Sequence, residues 1–158
     1  MRRPLAPPPL PTIEARLAWR GTLVCVVGAS ASSFAAQIAE PLRARGADVR
    51  TLRVELRHAE GASVEGERDA VLRCHPEALA RELAALAPQN DGAITIGSGA
   101  ALPVAVKPDL LVWISGGESV LGVDPALRAL AGEAQLVLED PREEAARALA
   151  DALLRDRT

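Results

Sequence analysis

The chain has 158 residues, 49% of them apolar but only 2% aromatic, with 18 basic and 21 acidic side chains and a net charge of -3. That length fits one domain with a core of its own, built chiefly from Ala, Leu and Val. The composition excludes a base-stacking platform and a basic nucleic-acid patch, and no apolar run is long enough to span a bilayer.

The chain opens with MRRPLAPPPLP, which holds five of the 12 prolines. Such a stretch favours polyproline II and resists packing, so residues 1–20 read as a Pro-rich leader, disordered in part. A docking peptide for an aromatic groove is the alternative use. No apolar h-region follows Arg2 and Arg3, which argues against a secretory signal. Ile13 and Leu17, behind Thr12, predict a short helical turn up to Trp19. A single α/β domain is expected over 21–158.

Thr22 to Val27 (TLVCVV) is a continuous apolar run before a glycine, as expected of a central parallel strand. Phe34, Ile38 and Leu42 then recur at helical spacing, with Pro41 a kink and Gly46 a stop. Asp48 to Leu56 ends in strict alternation, which predicts a strand with one wet face near a sheet edge. His58 to Arg73 is polar, with Gly61 and Gly66, and reads as a loop or weak hairpin. Pro76 opens a helix with Leu79, Leu83 and Leu86 on one side.

Gly92 to Gly97, Asp109 to Ser115 and Ala134 to Glu139 are three further strand signals, with a brief helix over Pro125 to Leu130. The last helix is expected to start at Asp140, with Pro141 at its first position and Glu143 completing a capping box. Ala145, Ala146, Leu149 and Leu153 form its inner face. Strands separated by helices predict an α/β three-layer sandwich with a mainly parallel sheet. Ligands in such sheets sit past the carboxyl ends of the strands. That rule selects Gly28 to Ser33, Gly97 to Ala101 and Ser115 to Gly122 as the loops of interest.

The first of these has the shape of a phosphate-binding loop. In the P-loop pattern G-x-x-x-x-G-K-[ST], backbone amides cradle phosphate, the lysine neutralises it and the hydroxyl holds magnesium. With Gly28 as the first glycine, Ser33 falls at the second, Phe34 at the lysine and Ala35 at the hydroxyl. Lys107, the only lysine, is far away in sequence. A vestigial anion site over Gly28, Ala29, Ser30, Ala31, Ser32 and Ser33 remains open, because a helix N-terminus still points amides at an anion. Hydrolysis does not. Gly97, Ser98 and Gly99, and Ser115, Gly116 and Gly117, are the other strand-end candidates. Their glycines serve either tight connection geometry or a ligand's close approach.

The segment GASASSFAAQIAEPLRARGADVRTLR resembles the cofactor segment of short-chain dehydrogenases. The tyrosine those enzymes use has no counterpart here, since the chain has no Tyr. The distal half, NDGAITIGSGAALPVAVKPDLLVWISGGE, resembles MobB-type proteins and their relatives in the SIMIBI group of P-loop NTPases. The closing LVLEDPREEAARALADAL is similar to the last strand and helix of that group. This resemblance spans roughly Leu23 to Leu154 in pattern and order. Where relatives carry an acidic residue after the third strand, this chain has Gly97 and Ser98. The resemblance implies a P-loop NTPase-like fold without magnesium chemistry. MobB-type proteins are adaptors in molybdenum-cofactor guanylylation, so it also implies an adaptor whose partner is a cofactor-maturation enzyme.

Other candidates are sparse. Cys74, His75 and His58 have no spacing that builds a metal site. Cys25 reads as an inert core thiol. Glu118 and Asp124 read as solvated turn acids, and Arg128, Arg142 and Arg147 as helix-surface charges. Ser30, Ser32, Ser98 and Ser115 lack a readable histidine partner for nucleophilic catalysis. The expectation is a non-hydrolysing, P-loop-like adaptor or regulatory protein, cytoplasmic, requiring no cofactor or metal, with no nucleic-acid or membrane partner. Weak nucleotide or phosphate binding, and a homo-oligomer, stay open. A small-molecule-binding domain and an enzyme of other chemistry are the alternatives.

Overall fold

The computed structural model describes residues 16–115, 129–130, 132–139 and 142–155. Its strands are β1 (Thr22–Gly28), β2 (Val49–Leu56), β3 (Ala62–Glu65), β4 (Asp69–Cys74), β5 (Ile94–Ser98), β6 (Leu110–Ile114) and β7 (Leu136–Leu138). Its helices are α1 (Ala31–Ala44), α2 (Leu79–Leu86), α3 (Ala101–Ala105) and α4 (Glu143–Arg155). The strands form one sheet in the order β3-β4-β2-β5-β1-β6-β7. Every neighbouring pair is parallel except β3 with β4.

The pleat of β1 divides the core. Val24 and Val26 face one way, into a cluster with Phe34, Ile38 and Leu42 of α1 and Ala146 and Ala150 of α4. Leu23, Cys25 and Val27 face the other way, into a cluster with Leu79 and Leu83 of α2 and Leu102 and Ala105 of α3. Helices therefore cover both faces of a sheet whose central strands are buried on both sides, which is why those strands read as unbroken apolar runs.

Two sequence expectations change. β2 is not near an edge: it lies between β4 and β5. Of the two readings left open for the stretch after it, loop or weak hairpin, the hairpin holds: β3 is antiparallel to β4, and β4 also continues the parallel sheet. Residues 16–19 are not helical. Leu17 bridges to Val106 and its N–H donates to the Ala105 carbonyl at 2.8 Å, so the folded part begins before residue 21. The last helix runs Glu143–Arg155, and the expected start at Asp140 and Pro141 lies outside the described residues. The helix expected over Pro125 to Leu130 falls mostly outside them too, although Leu130 is buried in the core.

Ion pairs fasten the segments at the surface. Arg43 of α1 reaches Asp69 at the start of β4 at 2.8 Å, and Thr51 Oγ1 donates to the same carboxylate. Those hydrogen bonds, Arg43 first, hold the Asp69 carboxyl below its ordinary range. Arg50 of β2 lies over the Trp19 ring at 6.0 Å and donates to the Leu86 carbonyl. Burial lowers the pKa of that guanidinium.

Candidate functional site

The chain leaves β1 through α1 on one face of the sheet and leaves the adjacent β5 through α3 on the other. Two neighbouring parallel strands whose connections diverge in this way open a crevice at their carboxyl ends. The residues that meet there are Gly28 at the end of β1 with Ala29 and Ser30 after it, and Ser98 at the end of β5 with Gly99 and Ala100 after it.

The turn after β1 is shorter than the phosphate-loop pattern requires. That pattern places four residues between its glycines. Here Ala31, Ser32 and Ser33 already belong to α1, so the loop is only Ala29 and Ser30. Ser30 adopts the left-handed conformation, with φ 59° and ψ 25°, and its carbonyl accepts the Phe34 N–H at 3.0 Å. No side chain caps α1 and no acid lies in its first turn. The amides of its first residues therefore face the crevice without an intrahelical acceptor, at the positive end of the helix dipole.

β5 adds a hydroxyl. Ser98 is 3% exposed, and its Oγ lies 3.3 Å from the Oγ of Ser32. Its neighbours have structural reasons to be glycine. A Cβ on Gly97 would run into the Leu102 side chain, and one on Gly99 would sit 2.6 Å from the Val54 carbonyl oxygen. Tight packing thus accounts for both without a ligand. Ser115 is drawn away from the crevice: its N–H and its hydroxyl both donate to the Leu138 carbonyl, at 2.9 and 3.4 Å, extending the pairing of β6 with β7. Gly116 and Gly117 lie outside the described residues.

One relevant cation escapes a reading of the loop alone. Arg53 of β2 is the pairing partner of Ser98. Paired residues on adjacent strands share a face, so Arg53 stands beside Ser98 on the α1 side. It is held at 2.7 Å by Glu55, two residues nearer the carboxyl end, and Glu55 is also bound by Arg73 at 2.9 Å. Only the sheet register reveals this neighbour.

Phe34 is 1% exposed and packs in one cluster with Ile38 and Leu42. Cys25 is buried, and desolvation drives its thiol pKa far up, which makes it inert. Cys74 is buried as well, and His75 uses Nδ1 to accept the Glu77 N–H at 3.2 Å. Among the described residues no group of three or more His, Cys, Asp and Glu is placed to hold a metal, and no helix is long and apolar enough to cross a membrane. The hydrogen-bond partners of Ser32, Ser98 and Ser115 include no histidine.

Compared with protein-family models, curated proteins and solved structures, the chain matches none.

Proposed function

We propose that the protein is a non-hydrolysing, P-loop-like domain that holds a small anionic group at the carboxyl ends of β1 and β5 and acts as an adaptor or regulatory protein. The observation that carries this reading is the bare start of α1: a left-handed Ser30, no capping side chain and no first-turn acid, at the point where the connections diverge. Ser32 and Ser98, hydrogen-bonded to each other, leave one hydroxyl proton to donate, and Arg53 adds a positive charge one strand away. The likeness to MobB-type proteins makes a metal-cofactor maturation enzyme, the molybdenum cofactor's above all, the favoured partner.

The test is a titration of inorganic phosphate and of a nucleoside triphosphate against amide NMR shifts. Shifts are expected at Ala29 to Ser33 and at Ser98, with weak affinity that falls as salt rises. Arg53→Gln weakens binding by about two- to fivefold, in keeping with a half-exposed charge. No shift at millimolar ligand would reduce the loop to a structural turn and sink the anion site.

Hydrolysis is the second test. A buried Phe34 cannot neutralise a γ-phosphate, and Ala35 offers no hydroxyl to magnesium. Purified protein is expected to leave ATP and GTP intact with or without magnesium. Steady turnover at about 1 per second, in the range of many enzymes, would refute the non-hydrolysing assignment.

A further inference from the structure

α1 and α4 lie side by side, and between them runs a cavity of about 390 Å³ lined by Gln37, Glu40, Pro41, Ala44, Glu143 and Arg147. The four α1 residues form one helix stripe at i, i+3, i+4 and i+7. The lining brings acceptor oxygens on Gln37, Glu40 and Glu143. The side-chain oxygen of Gln37 is buried with no hydrogen bond, an arrangement native proteins rarely leave unfilled. Pro41 sits inside α1 and has no N–H, so the Gln37 carbonyl, four residues earlier, lacks its helical donor. Arg147, the one cation among the described residues that line the cavity, is already bound to Glu143 at 2.9 Å and is 68% exposed. With the Glu40 and Glu143 carboxylates against that guanidinium, the described lining residues carry a net charge of one negative.

We propose that this groove binds a cation that carries N–H donors, a primary ammonium or guanidinium group. The N–H groups satisfy the two oxygens of Gln37, and the positive charge faces Glu40. The chemistry is opposite to that of the crevice beyond β1 and β5, so the two sites stand or fall separately. A free polyamine and a lysine or arginine of a bound peptide offer the same group.

The experiment titrates the full chain by NMR with spermidine, with a short Lys/Arg peptide and with tetramethylammonium, which has the charge but no N–H. Shifts are expected at Gln37, Glu40, Glu143 and Arg147 with the first two and not with the third. Whichever of those two binds more tightly identifies the source of the group. Gln37→Leu weakens binding by about tenfold, the scale of a hydrogen bond to a charged group. Glu40→Gln, a change at an exposed position, weakens it as well and serves if Gln37→Leu does not fold. Pro41→Ala restores a donor to the Gln37 carbonyl and also weakens binding. The proposal is overturned by equal shifts with tetramethylammonium, by unchanged affinity in a folded Gln37→Leu or Glu40→Gln variant, or by no shifts at all, which would leave the groove to water.

Discussion

Replacing Phe34 with alanine is expected to lower stability by about 3–5 kcal/mol, the range for deleting a buried phenylalanine. Phe34 is the only Phe in the chain and is 1% exposed, on the inner face of the first turn of α1. It packs in the cluster that holds Val26 of β1, Ile96 of β5 and Ile114 of β6, with Ile38 and Leu42 behind it. Against a total of about 5–15 kcal/mol for a typical domain, that loss is a large share. Phe34→Lys is the sharper variant. It restores the residue type of the P-loop pattern, yet it puts an unpaired cation into an apolar cluster, and no folded protein is expected. Urea unfolding of the alanine variant and amide dispersion of the lysine variant measure the two effects. An alanine variant within about 1 kcal/mol of wild type would show the ring outside the core. A folded lysine variant that binds phosphate more tightly would place position 34 in the crevice.

Some of this architecture was readable from the residues. β1 and β6 announce themselves because burial on both faces demands continuous apolar runs. The stripe of Phe34, Ile38 and Leu42 is legible because one face of α1 meets the sheet. β2 is misleading for a physical reason. Its alternation comes from one wet face, where Arg53 is exposed and Glu55 half-buried, although its backbone pairs on both sides. Side-chain exposure and strand pairing are separate properties, and only the first is written in the pattern. β4 is half hidden: Ala70, Leu72 and Cys74 point inward while Asp69 and Arg73 point out, so the stretch with its glycines reads as a loop or weak hairpin, and the parallel pairing of β4 with β2 carries no local signal.

The crevice was legible in part. Gly28 marks the strand end, and the rule for parallel sheets selects the loops beyond it. The start of α1 was not legible, because a run of small residues offers Ser30, Ser32 and Ser33 as equally good caps. The left-handed backbone at Ser30 settles the matter in favour of a two-residue turn. The closeness of Arg53 to Ser98 is a fact of register between strands far apart in sequence, and no local signal carries it.

Gly28→Ala is expected to cost about 3 kcal/mol, through backbone strain added to a collision. Gly28 has φ 119°, a conformation that residues with a Cβ rarely adopt. A Cβ there would also land on the carbonyl oxygen of Ile114, its pairing partner on β6. That atom belongs to the backbone of a central strand and cannot turn aside as a side chain would. β1 and β6 must then part at their carboxyl ends, beside the first turn of α1. Gly46→Ala is the control. Gly46 has φ 82°, but a Cβ there would meet nothing within 4 Å, so only strain of about 1 kcal/mol is expected. The difference between the two variants in urea unfolding isolates the collision. The phosphate titration adds a second readout, because a displaced turn loses its shifts at Ala29 to Ser33 while the Gly46 variant keeps them. Equal stability for the two variants would mean that β1 and β6 do not approach closely at Gly28. A folded Gly28 variant with unchanged phosphate shifts would detach the anion site from the geometry of this turn.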